Sequence, residues 1–83
     1  MTCYVVKEHI GNIKNIAAEK KMYNLFLNLK RIEKELELSH KDMDLVSEIE
    51  FIELLQSCLV GLPETESILI KPIIRELKIK QIL

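Results

Sequence analysis

The chain has 83 residues, of which 48% are hydrophobic and 30% are charged, with only two glycines and two prolines. This length allows one domain, and the composition is typical of a compact helical domain and excludes a disordered tail. The net charge is −1, and a block of five acids without a basic residue, from Asp42 to Glu53, argues against a nucleic-acid footprint in that region.

The first half of the chain predicts two amphipathic helices. Between Tyr4 and Ala17, and again between Met22 and Leu36, apolar residues recur every three or four positions, as in a helix with one buried stripe. The stripe positions are Val6, Ile10, Ile13 and Ala17, followed by Met22, Leu25, Phe26, Leu29, Ile32 and Leu36. The stripe loses its phase at residues 18–21, where we expect a loop or a kink. The second helix has no good capping residue at its start.

Two complete helix-start signals lie eight residues apart, at Ser39 and Ser47. Each serine is followed three residues later by an acid, and each has apolar residues placed to close over the start of a helix. These signals predict a short third helix from about His40 to Val46 and a fourth from Glu48 to about Leu59. Gly61 then provides a helix stop. The inward positions of the fourth helix are expected to be Ile49, Ile52, Leu55 and Leu59.

The last segment, from Glu64 to Leu83, has a helical apolar repeat that contains Pro72. A proline inside a helix costs about 3 kcal/mol, so either the helix kinks or a new helix begins near Lys71. We favour one kinked helix because the apolar stripe keeps its phase across the proline. The stripe positions are Ile68, Leu69, Ile73, Leu77 and Ile79. The predicted fold class is therefore all-α, a compact bundle of about five helices.

The residues with reactive side chains do not form a recognisable catalytic or metal site. Cys3 and Cys58 are far apart without metal-ligand spacing, and the chain has no secretory segment, which indicates a soluble protein in a reducing, intracellular compartment. His9 lacks a second histidine four residues on, and no pair of titratable groups is a catalytic candidate. We expect no enzyme activity, no cofactor, no metal and no membrane contact for this single domain of residues 1–83, which can also be a piece of a longer protein.

Two further patterns concern the surface. Lys30, Arg31 and Lys34 alternate with Glu33 and Glu35 at helix-neighbour spacing, which favours local ion pairs over a basic stripe and gives little support for nucleic-acid binding by this domain. Several apolar residues exceed what one stripe per helix needs, and they either form an exposed partner groove or bury the loops. They are Leu54, Leu59, Val60, Leu62 and Ile74.

The order of these segments resembles the integrase-binding domain of lens-epithelium-derived growth factor and hepatoma-derived growth factor related proteins. That domain belongs to the wider family of transcription elongation factor S-II N-terminal domains. The resemblance covers nearly the whole chain and rests mostly on apolar spacing. It is carried by Ile13-Lys14-Asn15, Met22, Leu25, Leu29, Ile32, the short third helix after Ser39, the helix from Glu48 to Leu59 and the Leu77-Lys78 ending.

The resemblance implies a right-handed bundle of helical hairpins that acts in the nucleus. Such a bundle would bind short linear motifs of disordered transcription and chromatin proteins through two interhelical loops, here residues 18–21 and 60–63. The partner-binding residues would be Glu19, Lys20, Lys21, Val60 and Leu62. The integrase-binding branch has an apolar residue followed by Asp where this chain has Glu19 and Lys20, which argues against recognition of viral integrase.

From these observations we expect a monomeric interaction module for acidic or amphipathic linear motifs of disordered proteins. The alternative is a structural helical domain that self-associates through exposed apolar helix faces. The two differ in oligomeric state, which sedimentation at several concentrations measures.

Overall fold

The computed structural model describes the backbone of residues 1–82 and the side chains of residues 1–80; Leu83, where the predicted last segment ends, lies outside the described residues. The described chain is all-helical, with no strand beyond one isolated bridge between Thr2 and Leu45. Its four helices are α1 (Cys3–Glu19), α2 (Tyr23–Ser39), α3 (Glu48–Ser57) and α4 (Glu64–Ile82). The predicted all-α class is confirmed.

The helices form two hairpins, α1–α2 and α3–α4, which contact each other through α2 and α4. Because each helix runs back along its predecessor, the α1–α2 and α3–α4 loops lie at one end of the bundle, which we call the loop end. The chain start lies at the opposite end, where the Val46 amide donates to the Met1 carbonyl at 2.6 Å.

One hydrophobic core joins all four helices. The stripe predicted for α1 is confirmed, and so are the four buried positions of α2 from Leu25 to Leu36, whereas Met22 and Phe26 are only half-buried. The core residues are Cys3, Val6, Ile10, Ile13, Ala17, Leu25, Leu29, Ile32, Leu36, Val46, Phe51, Ile52, Leu55, Cys58, Ile70 and Ile74. Aliphatic side chains therefore supply most of the burial that stabilises the fold.

The predicted short third helix from His40 to Val46 is wrong, so the described chain has four helices and not about five. Ser39 ends α2, and His40 has extended backbone angles. The chain then turns, with the Asp44 amide donating to the Lys41 carbonyl and the Asp44 carboxylate accepting from the Lys41 amide, both at 2.9 Å. A two-turn helix is too short to be stable alone, and this turn satisfies the local backbone groups instead.

The segment that replaces the third helix caps α1. The Cys3 amide donates to the Asp44 carbonyl at 2.8 Å. The Tyr4 amide donates to the Asp42 carbonyl at 3.4 Å, and the Thr2 hydroxyl accepts from the next amide of the same turn. Since the first amides of a helix need acceptors outside it, these carbonyls serve α1 and are not available for a helix of their own.

The second helix-start signal is confirmed. Ser47 is the N-cap of α3, and its hydroxyl accepts from the Glu50 amide at 3.1 Å. Val46 and Phe51, the apolar pair on either side of this start, are both buried. The Glu50 carboxylate lies 2.9 Å from the His40 ring, which ties the start of α3 to the end of α2.

The inward faces of α3 and α4 differ from the predicted ones. Ile49 and Ile68 are each 60% exposed, although both were assigned to buried stripes. In α4 the buried apolar positions are Ile70 and Ile74, on the face that also holds the buried Glu66. The apolar repeat predicted the wrong buried face of α4 because it takes no account of Glu66, a polar residue that is buried and hydrogen-bonded.

The connections around α4 follow the sequence signals. Gly61 has a φ of +76°, the left-handed conformation expected at the stop after α3. Helix α3 itself ends at Ser57, two residues before the predicted end. Helix α4 runs through Pro72 as one helix. The prediction of one continuous helix is therefore confirmed, no new helix begins near Lys71, and the kink stays a prediction.

The α1–α2 loop is a tight turn of three residues. Helix α1 continues through residue 19, and then the Met22 amide donates to the Ala17 carbonyl at 2.8 Å and the Lys21 amide to the Ala18 carbonyl at 3.2 Å. This pair of bonds defines a Schellman motif. Lys21 occupies its left-handed position with a φ of +59°, where glycine is normally found.

Substitution of Lys21 by glycine tests the strain at this turn. Left-handed backbone costs a non-glycine residue about 1–2 kcal/mol, partly offset by the greater unfolded-state freedom of glycine. We expect Lys21→Gly to raise the free energy of unfolding by about 0.5–1 kcal/mol in urea denaturation. Lys21→Ala is the control, because it removes the charge and keeps the strain. Equal stability of the two variants would contradict the assignment.

Candidate functional site

The loop end is held together by the carboxylate of Glu66. This residue lies in the first turn of α4 and is only 9% exposed. Its Oε1 accepts from the Asn24 amide at 3.1 Å and from the Leu25 amide at 3.3 Å, while its Oε2 accepts from the Asn24 side chain at 2.9 Å. Met22, the N-cap of α2, offers no side-chain acceptor. Glu66 therefore caps α2 from the other hairpin.

The α3–α4 loop is also fixed to α2. The Asn28 side chain donates to the Cys58 carbonyl at 2.9 Å, which satisfies a carbonyl at the end of α3. Leu62 is half-buried and packs against the core. Side-chain hydrogen bonds thus attach both the end of α3 and the start of α4 to α2.

The structure brings together two of the five predicted site residues. Lys20 and Lys21 are exposed and line an open hollow of about 360 Å³ between the α1–α2 turn and the first turn of α4. Glu19, Val60 and Leu62 do not line this hollow. Val60 is 74% exposed at the same end of the bundle.

The charges of the two lysines are free to meet a ligand. Among the described residues neither Lys20 nor Lys21 forms an ion pair, and the Glu66 carboxylate beside them already accepts hydrogen bonds from α2. The hollow therefore presents two ammonium groups to solvent and suits carboxylates of a partner. Each exposed pair would contribute about 0.2–1 kcal/mol.

The two thiols are buried and protonated. Burial raises the pKa of Cys58 to about 12, and burial likewise raises the pKa of Cys3. Neither side chain supplies a thiolate at neutral pH. Within residues 1–80 no group of three or more His, Cys, Asp and Glu side chains is arranged to hold a metal ion. No helix in the described part of the chain is long and apolar enough to cross a membrane.

An apolar groove at the other end of the bundle was not predicted. It has a volume of about 420 Å³ and lies between α1, α3 and α4. Ile13 and Phe51 line it together with Ile73 and Leu77, which sequence analysis assigned to the core and which are only half-buried. The sequence identified the apolar residues that line the groove, but it could not show the gap between the two hairpins that forms the groove.

The local ion pairs predicted on α2 are absent from the described residues. Glu33 forms an ion pair with Lys14 of α1, with 2.7 Å between Nζ and Oε1, and not with Lys30 or Lys34. The predicted local ion pairs are therefore wrong, because helix-neighbour spacing cannot show that a carboxylate will pair with a base of another helix.

The chain matches no protein-family model, no curated protein and no solved structure. The resemblance to the integrase-binding domains stays a prediction that rests on apolar spacing. The short third helix, one of the features that carried it, is absent.

The buried thiols give a test of the packing around α3. With a pKa of about 12 in place of the ordinary 9.0, Cys58 has about a thousandfold less thiolate at pH 8 than an exposed cysteine. In a Cys3→Ala variant we expect Cys58 to react with a thiol reagent at least about a thousandfold more slowly than in urea. Similar rates would contradict its burial.

The same pKa shift sets the sign of a pH dependence. Between pH 9 and 12 the unfolded thiol loses its proton and the folded thiol does not, so the stability contributed by Cys58 is present below pH 9 and is lost as the pH rises toward 12.

Proposed function

We propose that this chain is a protein-interaction module that binds short acidic or amphipathic segments of disordered proteins at the loop end. One observation carries the proposal: Lys20 and Lys21 stand without ion pairs beside an open hollow, on a turn whose neighbouring helix starts are fixed by Glu66. Free cations on a fixed backbone are suited to recognise carboxylates.

The fixed backbone lowers the cost of binding. The Schellman motif at the end of α1 and the Glu66 cap at the start of α2 restrain the turn before a partner arrives. Binding then orders two lysine side chains and the partner segment, and leaves the backbone of this chain unchanged. The exposed Val60 offers an apolar contact at the same end of the bundle.

The partner class rests on the sequence resemblance together with the charge of the turn. The apolar spacing that this chain shares with the integrase-binding domains suggests disordered transcription and chromatin proteins in the nucleus as partners. Lys20, which stands where the integrase-binding branch has an acid, suggests that the segment bound here is acidic. The proposal includes no catalytic role.

A second candidate is self-association through apolar surface. The groove of about 420 Å³ between α1, α3 and α4 favours it, because Ile73 and Leu77 line it and are only half-buried. Sedimentation at several concentrations separates the two candidates: a monomer removes self-association.

Nuclear magnetic resonance titration tests the loop-end site. The probe is a peptide that alternates leucine and glutamate, and its matched control carries glutamine at each glutamate position. We expect the acidic peptide to shift the amides of Lys20, Lys21 and Val60, and the control to shift them much less. Reversal of both lysines to aspartate should weaken binding about tenfold, given about 0.2–1 kcal/mol for each exposed charge pair.

Lys71→Asp combined with Lys78→Asp is the control for the charge change, since both residues are exposed on α4 and neither lines the loop-end hollow. Shifts confined to the outer face of α3, around Ile49 and Glu53, would contradict the site. Equal loss of affinity in the α4 variant would also contradict it.

A further inference from the structure

The side of α2 that faces away from the core carries three large apolar residues and three cations. We call this side the α2 outer face, and its members recur at helical spacing, which places them in one stripe. They are Tyr23, Leu27, Lys30, Arg31, Lys34 and Leu38. The apolar members are strongly exposed, at 63% for Tyr23, 60% for Leu27 and 80% for Leu38. The whole stripe is therefore solvent-accessible surface with no role in the core.

The carboxylates of α2 flank the stripe on its two sides. Glu33 pairs with Lys14 of α1 at 2.7 Å. Glu37 is also on the α1 side: the pKa of Lys7 is raised, mainly by its hydrogen bond to Asp42 and further by the charge of Glu37.

On the opposite side of α2, Glu35 lines a hollow shared with His40 and Glu50. The three cations of the stripe form no ion pair among the described residues. The α2 outer face is therefore positively charged, although the chain as a whole carries a net charge of −1.

The stripe is also concave and continuous with the loop end. A shallow hollow of about 660 Å³ lies along it, and its charged lining has four cations and two carboxylates, so its net charge is positive. The lining residues are Lys14, Leu27, Lys30, Arg31, Glu33, Lys34 and Glu37. Tyr23, the first member of the stripe, also lines the loop-end hollow beside Lys20 and Lys21. Five cations without ion pairs thus follow one path from the α1–α2 turn down the length of α2.

The order of residues along the stripe indicates the occupant. Apolar side chains stand at both ends and cations stand between them, over about 16 Å from Leu27 to Leu38 at 1.5 Å per residue. A membrane surface favours the reverse, an apolar centre with cations at its edges. A nucleic acid favours a broad basic surface, whereas the cations here form one narrow stripe between exposed apolar residues.

We propose that the α2 outer face docks an acidic amphipathic helix of a partner protein. Its carboxylates would meet Lys30, Arg31 and Lys34, and its apolar side chains would pack at the two ends of the stripe, against Leu27 and Leu38. This inference rests on the proposed function, because it gives the shape of the segment that the loop end binds. Helix-on-helix docking by apolar anchors at helical spacing is an established recognition mode.

A matched control is present on α4. Its exposed side carries Lys71, Arg75 and Lys78 with Ile68 and Ile79, a similar mixture of cations and apolar residues. Pro72 interrupts that face, and none of its residues lines the loop-end hollow. Charge reversal there changes the net charge as much as reversal on α2 and leaves the stripe intact.

The test measures binding of a fluorescent acidic amphipathic peptide, with leucine at helical spacing and glutamate between, to the full chain by anisotropy. We expect Lys30→Glu combined with Lys34→Glu to weaken binding at least tenfold. Lys71→Glu combined with Lys78→Glu should change it less than twofold. Circular dichroism should show equal helix content in the three proteins and a gain of helix in the bound peptide.

Each other outcome overturns a defined part of the account. Equal weakening of peptide binding by the α2 and α4 variants would mean that only the net charge of the protein matters, and would overturn the α2 site. Loss of binding on reversal of Lys20 and Lys21, without any effect of the α2 variant, would overturn the α2 site and leave the proposed function standing. A bound peptide without helix would overturn the helical occupant.

Two further measurements separate the sources of negative charge. Vesicles of phosphatidylserine and phosphatidylcholine, and a short DNA duplex, are titrated in the same assay. Binding of either one that depends on Lys30 and Lys34, with no binding of the peptide, would overturn the proposal. Failure of every probe at both the loop end and α2 would overturn the proposed function as well.

Discussion

The carboxylate of Glu66 is the contact on which the loop end depends. It is buried in the first turn of α4, and it accepts from the first free amides of α2, which has no acceptor of its own. Removing the carboxylate leaves the buried Leu25 amide without an acceptor, and a buried unsatisfied group costs about 1–3 kcal/mol. The Asn24 amide, which is only partly buried, loses the same acceptor. The contact joins the two hairpins at the end where Lys20 and Lys21 are presented. Stability and the candidate site thus share one side chain.

Local signals predicted the helices well, and contacts between distant residues decided where the prediction failed. The stripes of α1 and α2 and the Ser47 cap depend on neighbours within one turn, and they were correct. Ser39 carries the same signal as Ser47, yet the segment after it caps α1, some forty residues earlier in the chain. The Glu66 cap likewise depends on residues far apart in the chain, and nothing in the sequence around Glu66 indicates that it caps α2. Sequence spacing cannot show which of two equally good helix-start signals will fail to start a helix because its segment contacts a distant part of the chain.

The two proposed binding surfaces also differ in how far the sequence predicted them. The family resemblance suggested Lys20 and Lys21, and the structure shows that both are exposed at the α1–α2 turn. The α2 outer face was missed because interleaved acids and bases on a helix look neutral until each carboxylate is assigned a partner. Glu33 pairs with Lys14, and the bases of the stripe form no ion pair among the described residues. The proposed recognition therefore depends on how acids and bases are distributed among the helices, while the totals nearly cancel.

Amide hydrogen exchange at the start of α2 measures the contact between the hairpins most directly. The amides of Asn24 and Leu25 are the groups that Glu66 binds, and helix-start amides without acceptors exchange rapidly. In the native chain we expect both to be protected, and in Glu66→Ala we expect that protection to be lost while the amide of Ile32, in the middle of α2, stays protected. Rapid exchange of Asn24 and Leu25 in the native chain, or unchanged protection in the variant, would contradict the account.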